Sequence, residues 1–161
     1  MDDPNYPLNL QEKKMNDFAG PVPKSTTATT TTGVNLMNDI PDVPKAVGPY
    51  SQLSIAGDTI YLSGQLPLDP KTGKLVSGTI EEQTEQVFNN IEAVLKGVGL
   101  GLIDVARCSV YLTDMSTFPN MNAIYSKRFG DHKPARETIG VCALALGAAV
   151  EITVIAHKRK E

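Results

Sequence analysis

The sequence predicts an α+β domain of order ββαβαββ, one sheet with two helices packed on one of its faces. Three observations carry the prediction. Short runs rich in β-branched and aromatic residues alternate with two stretches whose apolar residues recur at helical spacing. Turn-forming residues punctuate the chain regularly from Lys45 onward. The 161 residues are 41% hydrophobic and 20% charged, a balance suited to one globular core.

In chain order, Ser51–Ala56 and Thr59–Ser63 flank Gly57-Asp58 and read as a hairpin. Asp69-Pro70-Lys71-Thr72-Gly73 is a second turn. Thr79-Ile80-Glu81-Glu82 has capping-box spacing, in which residues three apart satisfy each other's backbone donors at a helix start. Val87, Ile91, Val94, Leu95 and Val98 line one face of that helix, and Gly97 and Gly99 end it. Ile103–Thr113 reads as a strand. Ser116, Thr117 and Pro119 open a second helix carrying Phe118, Met121, Tyr125 and Phe129, and Gly130 closes it. Thr138–Leu146 and Val150–His157 supply two further strands.

Residues 1 to 43 have a different character, and the domain is expected to run from 44 to 161. Ser25–Thr32 is nearly all threonine, and Pro4, Pro7, Pro21, Pro23 and Pro41 punctuate the stretch. Three lysines there face six acidic residues, so this tail holds the whole net charge of −3. With few large apolar residues to offset the entropy of ordering, it reads as flexible. It has no charged-then-apolar leader pattern, and a mitochondrial presequence would be arginine-rich and acid-poor. The acidic start points to the cytosol, with the mitochondrion as the alternative.

Composition narrows the function classes. The domain carries twelve basic and twelve acidic residues, which argues against non-specific nucleic-acid binding. No apolar run approaches the roughly 20 residues of a membrane span. Cys108 and Cys142 both sit in apolar runs and read as buried free thiols. There is no phosphate-binding glycine loop and no Gly-x-Ser-x-Gly elbow. His132 and His157 are the only histidines, too few for a persuasive zinc site. An enzyme built from this chain works with arginine, carboxylate, hydroxyl and backbone groups.

Three clusters offer such chemistry: Gly48-Pro49-Tyr50-Ser51-Gln52, Leu62-Ser63-Gly64-Gln65, and Lys133-Pro134-Ala135-Arg136. Gly64 lets a ligand approach the backbone at a strand end. The planar guanidinium of Arg136 suits bidentate grip on a carboxylate. Glu151 interrupts an apolar run and is a candidate general base. Taken singly, each also has a plain reading: Arg136 in a surface salt bridge, Glu151 facing water, Tyr50 and Tyr125 in the core, Asn122 merely exposed.

In order along the chain, Ala46-Val47-Gly48-Pro49-Tyr50-Ser51-Gln52, Leu62-Ser63-Gly64-Gln65, Asn122-Ala123-Ile124-Tyr125, Pro134-Ala135-Arg136, Val150-Glu151-Ile152 and Ile155-Ala156 resemble the RidA (YjgF) family of reactive-intermediate deaminases. The resemblance runs from about Lys45 to Lys158 and leaves the tail out. It implies a chorismate-mutase-like fold and a homotrimer with clefts at the subunit interfaces. It implies hydrolysis of 2-imino or enamine acids to 2-oxo acids and ammonia, without metal or organic cofactor. It also implies that Arg136 binds the substrate carboxylate and that Glu151 orients or activates water. Tyr50, Ser63 and Gly64 would line the pocket, with Asn122 and Tyr125 in the cleft wall. A non-catalytic carboxylate-binding or chaperone-like module, and an endoribonuclease or translation inhibitor, are the alternatives. Glu137 and Thr138 depart from the family, which commonly has Ser and then a small residue or Cys. A Glu137 facing the cleft would repel a carboxylate, but strand alternation puts it on the side opposite Arg136.

Overall fold

The computed structural model describes residues 33–159. The expected order of elements is present, with one strand added in front. The strands are β1 (Val34–Met37), β2 (Leu53–Ala56), β3 (Thr59–Leu62), β4 (Val105–Leu112), β5 (Ala135–Gly140) and β6 (Val150–His157). Helix α1 (Ile80–Lys96) joins β3 to β4, and α2 (Phe118–Phe129) joins β4 to β5. The sheet order is β1-β2-β3-β6-β4-β5, so β6 fills the gap that the α1 crossover leaves between β3 and β4. All pairs are antiparallel except β4–β5, whose parallel register requires the α2 crossover.

Local chemistry explains most boundaries. Ala56 pairs with Thr59 around Gly57-Asp58, and Gly57 has φ +60, which a residue without Cβ adopts at no steric cost. In the second turn, Asp69 Oδ1 accepts the backbone N–H groups of Lys71 and Thr72. At the start of α1, Thr79 Oγ1 accepts from Glu82 N at 3.3 Å and the Glu82 carboxylate accepts from Thr79 N at 2.7 Å. This is the reciprocal cap read from the sequence.

The core lies between the helices and one sheet face. Along β6, Val150, Ile152, Val154 and Ala156 are buried there, while Glu151, Thr153 and Ile155 point to the other face. Phe88 from α1 meets Tyr125 and Phe129 of α2 edge-on, with ring centres 5.7 and 5.6 Å apart. With Gln83 and Thr84, Asn90 is one of three buried polar residues in α1. Its Nδ2 donates to the carbonyls of Leu66 and Leu68, fastening the β3–α1 loop to the helix.

Three sequence expectations need correction. The domain begins earlier than residue 44. β1 pairs with β2 from Val34↔Ala56 to Met37↔Leu53, and Ile40 and Val43 are buried. Gln52 secures this segment: its Oε1 accepts from Ile40 N and its Nε2 donates to Pro44 O. The threonine-rich stretch itself lies outside the described residues. The strand expected over Thr138–Leu146 instead runs Ala135–Gly140, because an edge strand ends where its single neighbour β4 ends. Beyond it, a 3-10 turn at Ala145–Gly147 places Leu146 at φ +61. Cys108 is buried as expected, but Cys142 lies past the end of β5 and is exposed.

Candidate active site: two half-sites on opposite sheet faces

The first half-site is built on α2 and β5. The parallel register sets Arg136 beside Cys108, on the helix-covered face. Phe118, Asn122 and Tyr125 share one side of α2 at helical spacing. Arg136 Nη1 donates to Asn122 Oδ1 at 2.8 Å. Its Cζ lies 4.4 Å from the Tyr125 ring centre and 5.7 Å from that of Phe118. Such cation–π contacts contribute on the order of 0.5–2 kcal/mol. Among the described residues no carboxylate pairs with Arg136, which removes the surface salt-bridge reading. Asn122, Tyr125 and Arg136 line a cavity of about 330 Å³, together with Phe129, His132 and Lys133.

The second half-site is built on β3 and β6. Gln65 bridges Ile152 antiparallel, which puts Gly64 on the same sheet face as Glu151. A Cβ on Gly64 would stand 1.8 Å from Glu151 Oε1, so the carboxylate occupies the space that glycine leaves. Ser63 Oγ donates to Ser51 O at 2.6 Å, tying β3 to the Tyr50 loop. Tyr50 and Ser63 line an open cleft of about 850 Å³. Tyr50 and Gly64 line a smaller one adjoining it. Tyr50 is exposed rather than core, and its hydroxyl accepts from Val47 N at 3.3 Å. Glu151 is half-buried, and desolvation raises its pKa above the usual carboxylate range. No hydrogen bond or ion pair holds it among the described residues.

One chain therefore brings together Tyr50, Ser63, Gly64 and Glu151, and separately Asn122, Tyr125 and Arg136. It does not bring Arg136 to Glu151. Across β4, Arg136 shares the face of Cys108 whereas Glu151 pairs with Tyr111 on the opposite face. The parity of the register decides this, and no motif spacing reveals it.

Glu137 is on the open face, as alternation requires. Its carboxylate accepts from Ser109 Oγ at 2.5 Å and from Arg107 Nη2, and both contacts hold its pKa below the usual range. Its charge is thus offset away from Arg136. Burial pushes the Cys108 thiol up to about 11, so it stays protonated beside the Tyr125 hydroxyl. That hydroxyl and Thr138 Oγ1 are buried without a well-formed hydrogen bond among the described residues. In the sequence Phe118 reads only as an apolar residue of the second helix, and His132 carries no assigned role. The spacing 118, 122, 125 was the signal for Phe118. His132 Nε2 donates to Val105 O at 2.7 Å, a contact with no sequence signature.

Among the described residues no group of three or more His, Cys, Asp or Glu could hold a metal ion, and no helix is long and apolar enough to cross a membrane. The family model described as Endoribonuclease L-PSP matches residues 40–158. A RutC family protein of Pyrococcus horikoshii is 46% identical over 117 residues, covering 73% of this chain and 93% of that protein. The chloroplastic Reactive Intermediate Deaminase A of Arabidopsis thaliana is 45% identical over 113 residues, covering 70% of this chain and 60% of that protein. The crystal structure of RidA from an Antarctic Psychrobacter superposes with a TM-score of 0.70 at 42% identity, covering 73% of this chain and 94% of that one.

Proposed function

Because this chain belongs to the endoribonuclease L-PSP family, also called RidA/YjgF, we propose that it is a deaminase hydrolysing 2-imino and enamine acids to 2-oxo acids and ammonia. The observation that carries the reading is the pair of half-sites: an arginine anchored without a carboxylate partner, and a desolvated carboxylate without a cation. Each supplies what the other lacks. Since they lie on opposite faces, the working site is formed between copies of the chain, in a homotrimer. The open sheet face supports assembly, because Tyr61 and Ile139 are 44% and 47% exposed there.

In this site Arg136 grips the substrate carboxylate, while Asn122 and the Tyr125 ring hold the guanidinium in place. Arginine has five donors, so the bond to Asn122 leaves enough for a bidentate grip. Glu151 of a second copy accepts a proton from water as the oxygen adds to the imine carbon. The nitrogen takes the proton held by Glu151 to give a tetrahedral adduct, which then collapses: the new hydroxyl gives its proton to the departing nitrogen, the C=O bond forms as the C–N bond breaks, and ammonia and a 2-oxo acid leave. A raised pKa brings Glu151 nearer to the working pH of a general base, which typically contributes about 10²–10⁴-fold. Positioning by Arg136 adds to this, and the substrate is already electrophilic. No step draws on a metal or organic cofactor, and this small polar substrate needs neither nucleic acid nor membrane.

The test generates imino acid in situ with an amino-acid oxidase and follows 2-oxo acid formation against capture by semicarbazide. Arg136→Ala and Glu151→Gln are each expected to lose activity, and mixing the two after joint refolding is expected to restore part of it. Wild-type activity in Arg136→Ala would overturn the assignment. Absence of rescue in a mixed oligomer would overturn the shared site.

A further inference from the structure

The cavity at Arg136 holds a second cation. Lys133 precedes Arg136 by three residues, at the entry to β5, and lines the same cavity of about 330 Å³. Its ammonium donates to Gly130 O at 2.8 Å, at the C-terminal end of α2, where the helix dipole favours positive charge. Among the described residues neither Lys133 nor Arg136 has a carboxylate partner. The nearby acids turn elsewhere. Glu137 is bound to Arg107 and Ser109 on the other face, and Asp104 is paired with Arg159. Asp131, next in sequence to His132, does not line the cavity. Two cations without acidic partners thus face one space, walled by the rings of Tyr125 and Phe129. That space is generous for a three- or four-carbon acid, since pockets of about 300–1,000 Å³ accommodate far larger ligands.

We propose that Lys133 is a specificity residue that pairs with a second carboxylate at the far end of the substrate, so that the chain accepts 2-imino dicarboxylic acids. This rests on the deaminase reading above. Arg136 takes the carboxylate next to the imine carbon, the aromatic rings flank the methylene chain, and the Lys133 ammonium meets the distal acid at the rim.

The experiment compares 2-iminoglutarate, made in situ from glutamate, with the imino acid made from norleucine, whose side chain is uncharged. Lys133→Gln, which keeps a donor for Gly130 O, is expected to lower the ratio of kcat/KM for the dicarboxylate to that for the monocarboxylate roughly fivefold. Lys133→Glu is expected to lower it further. An unchanged ratio in both variants overturns the proposal. Binding of the product 2-oxoglutarate against 2-oxohexanoate gives a readout independent of turnover, and the same loss of preference is expected there. Hydrolysis of neither imine by the wild-type protein above the uncatalysed rate would instead remove the deaminase reading, and the Lys133 assignment with it.

Discussion

Replacing Gly64 with alanine tests the second half-site by a single methyl group. The three atoms nearest the added Cβ all belong to Glu151: Oε1 at 1.8 Å, Cδ at 2.9 Å and Cγ at 3.3 Å. Ordinary contact begins near 3.4 Å, so the carboxylate must retreat by about 1.6 Å. The backbone need not strain, because Gly64 is not among the positive-φ glycines. Stability should fall by only about 1 kcal/mol, the order of an off-rotamer side chain. Activity should suffer far more, since a displacement of about 1 Å in a positioned group costs roughly 10²-fold, or about 2.7 kcal/mol of transition-state stabilisation. The assay is kcat/KM for imine hydrolysis with thermal unfolding in parallel, in wild type, Gly64→Ala, Glu151→Ala and the double variant. In the Glu151→Ala background the carboxylate is gone, and the Gly64→Ala step should have almost no further effect. Full activity in Gly64→Ala would refute the contact. An equal loss in both backgrounds would refute the claim that the methyl acts through Glu151.

Three further outcomes follow from the geometry. The fold raises the pKa of Glu151, so the folded state favours its protonated form; ionising it costs stability that is kept at acid pH and lost as pH rises through the folded value. Glu151→Gln should therefore raise Tm at neutral pH and not at pH near 4, and should remove the ascending acid limb of the wild-type kcat/KM profile; a limb that persists in the variant would exclude Glu151 as its source. Glu137→Ser should leave KM for the imino acid within about twofold, because that carboxylate faces Arg107 and Ser109 across the sheet from Arg136; a marked drop in KM would show that its charge reaches the substrate. A thiol reagent should label Cys142 in the native protein and Cys108 only after denaturation, since Cys108 is buried and its thiol is pushed up to about 11; native labelling of Cys108 would contradict the packing under α2.

The sequence by itself determined the elements whose causes are local. The capping box at Thr79, the Gly57-Asp58 hairpin and the apolar periodicity of α1 each depend on residues within a few positions of one another. The same holds for which residue types could do chemistry, and for the outward direction of Glu137, which needs only strand alternation. Other features depend on partners distant in the chain. β1 is four residues long and looks like tail until β2 pairs with it and the Gln52 side chain ties down Ile40 just after it. The end of β5 is set by β4, and the exposure of Cys142 follows from that end. The chief case is the division of the site. Arg136 and Glu151 are fifteen positions apart and look like partners in one dimension. Their orientation depends on which residue of β4 each one pairs with, Cys108 for one and Tyr111 for the other. A shift of one residue in either register would turn that side chain to the opposite face, and register is fixed by packing across the whole sheet.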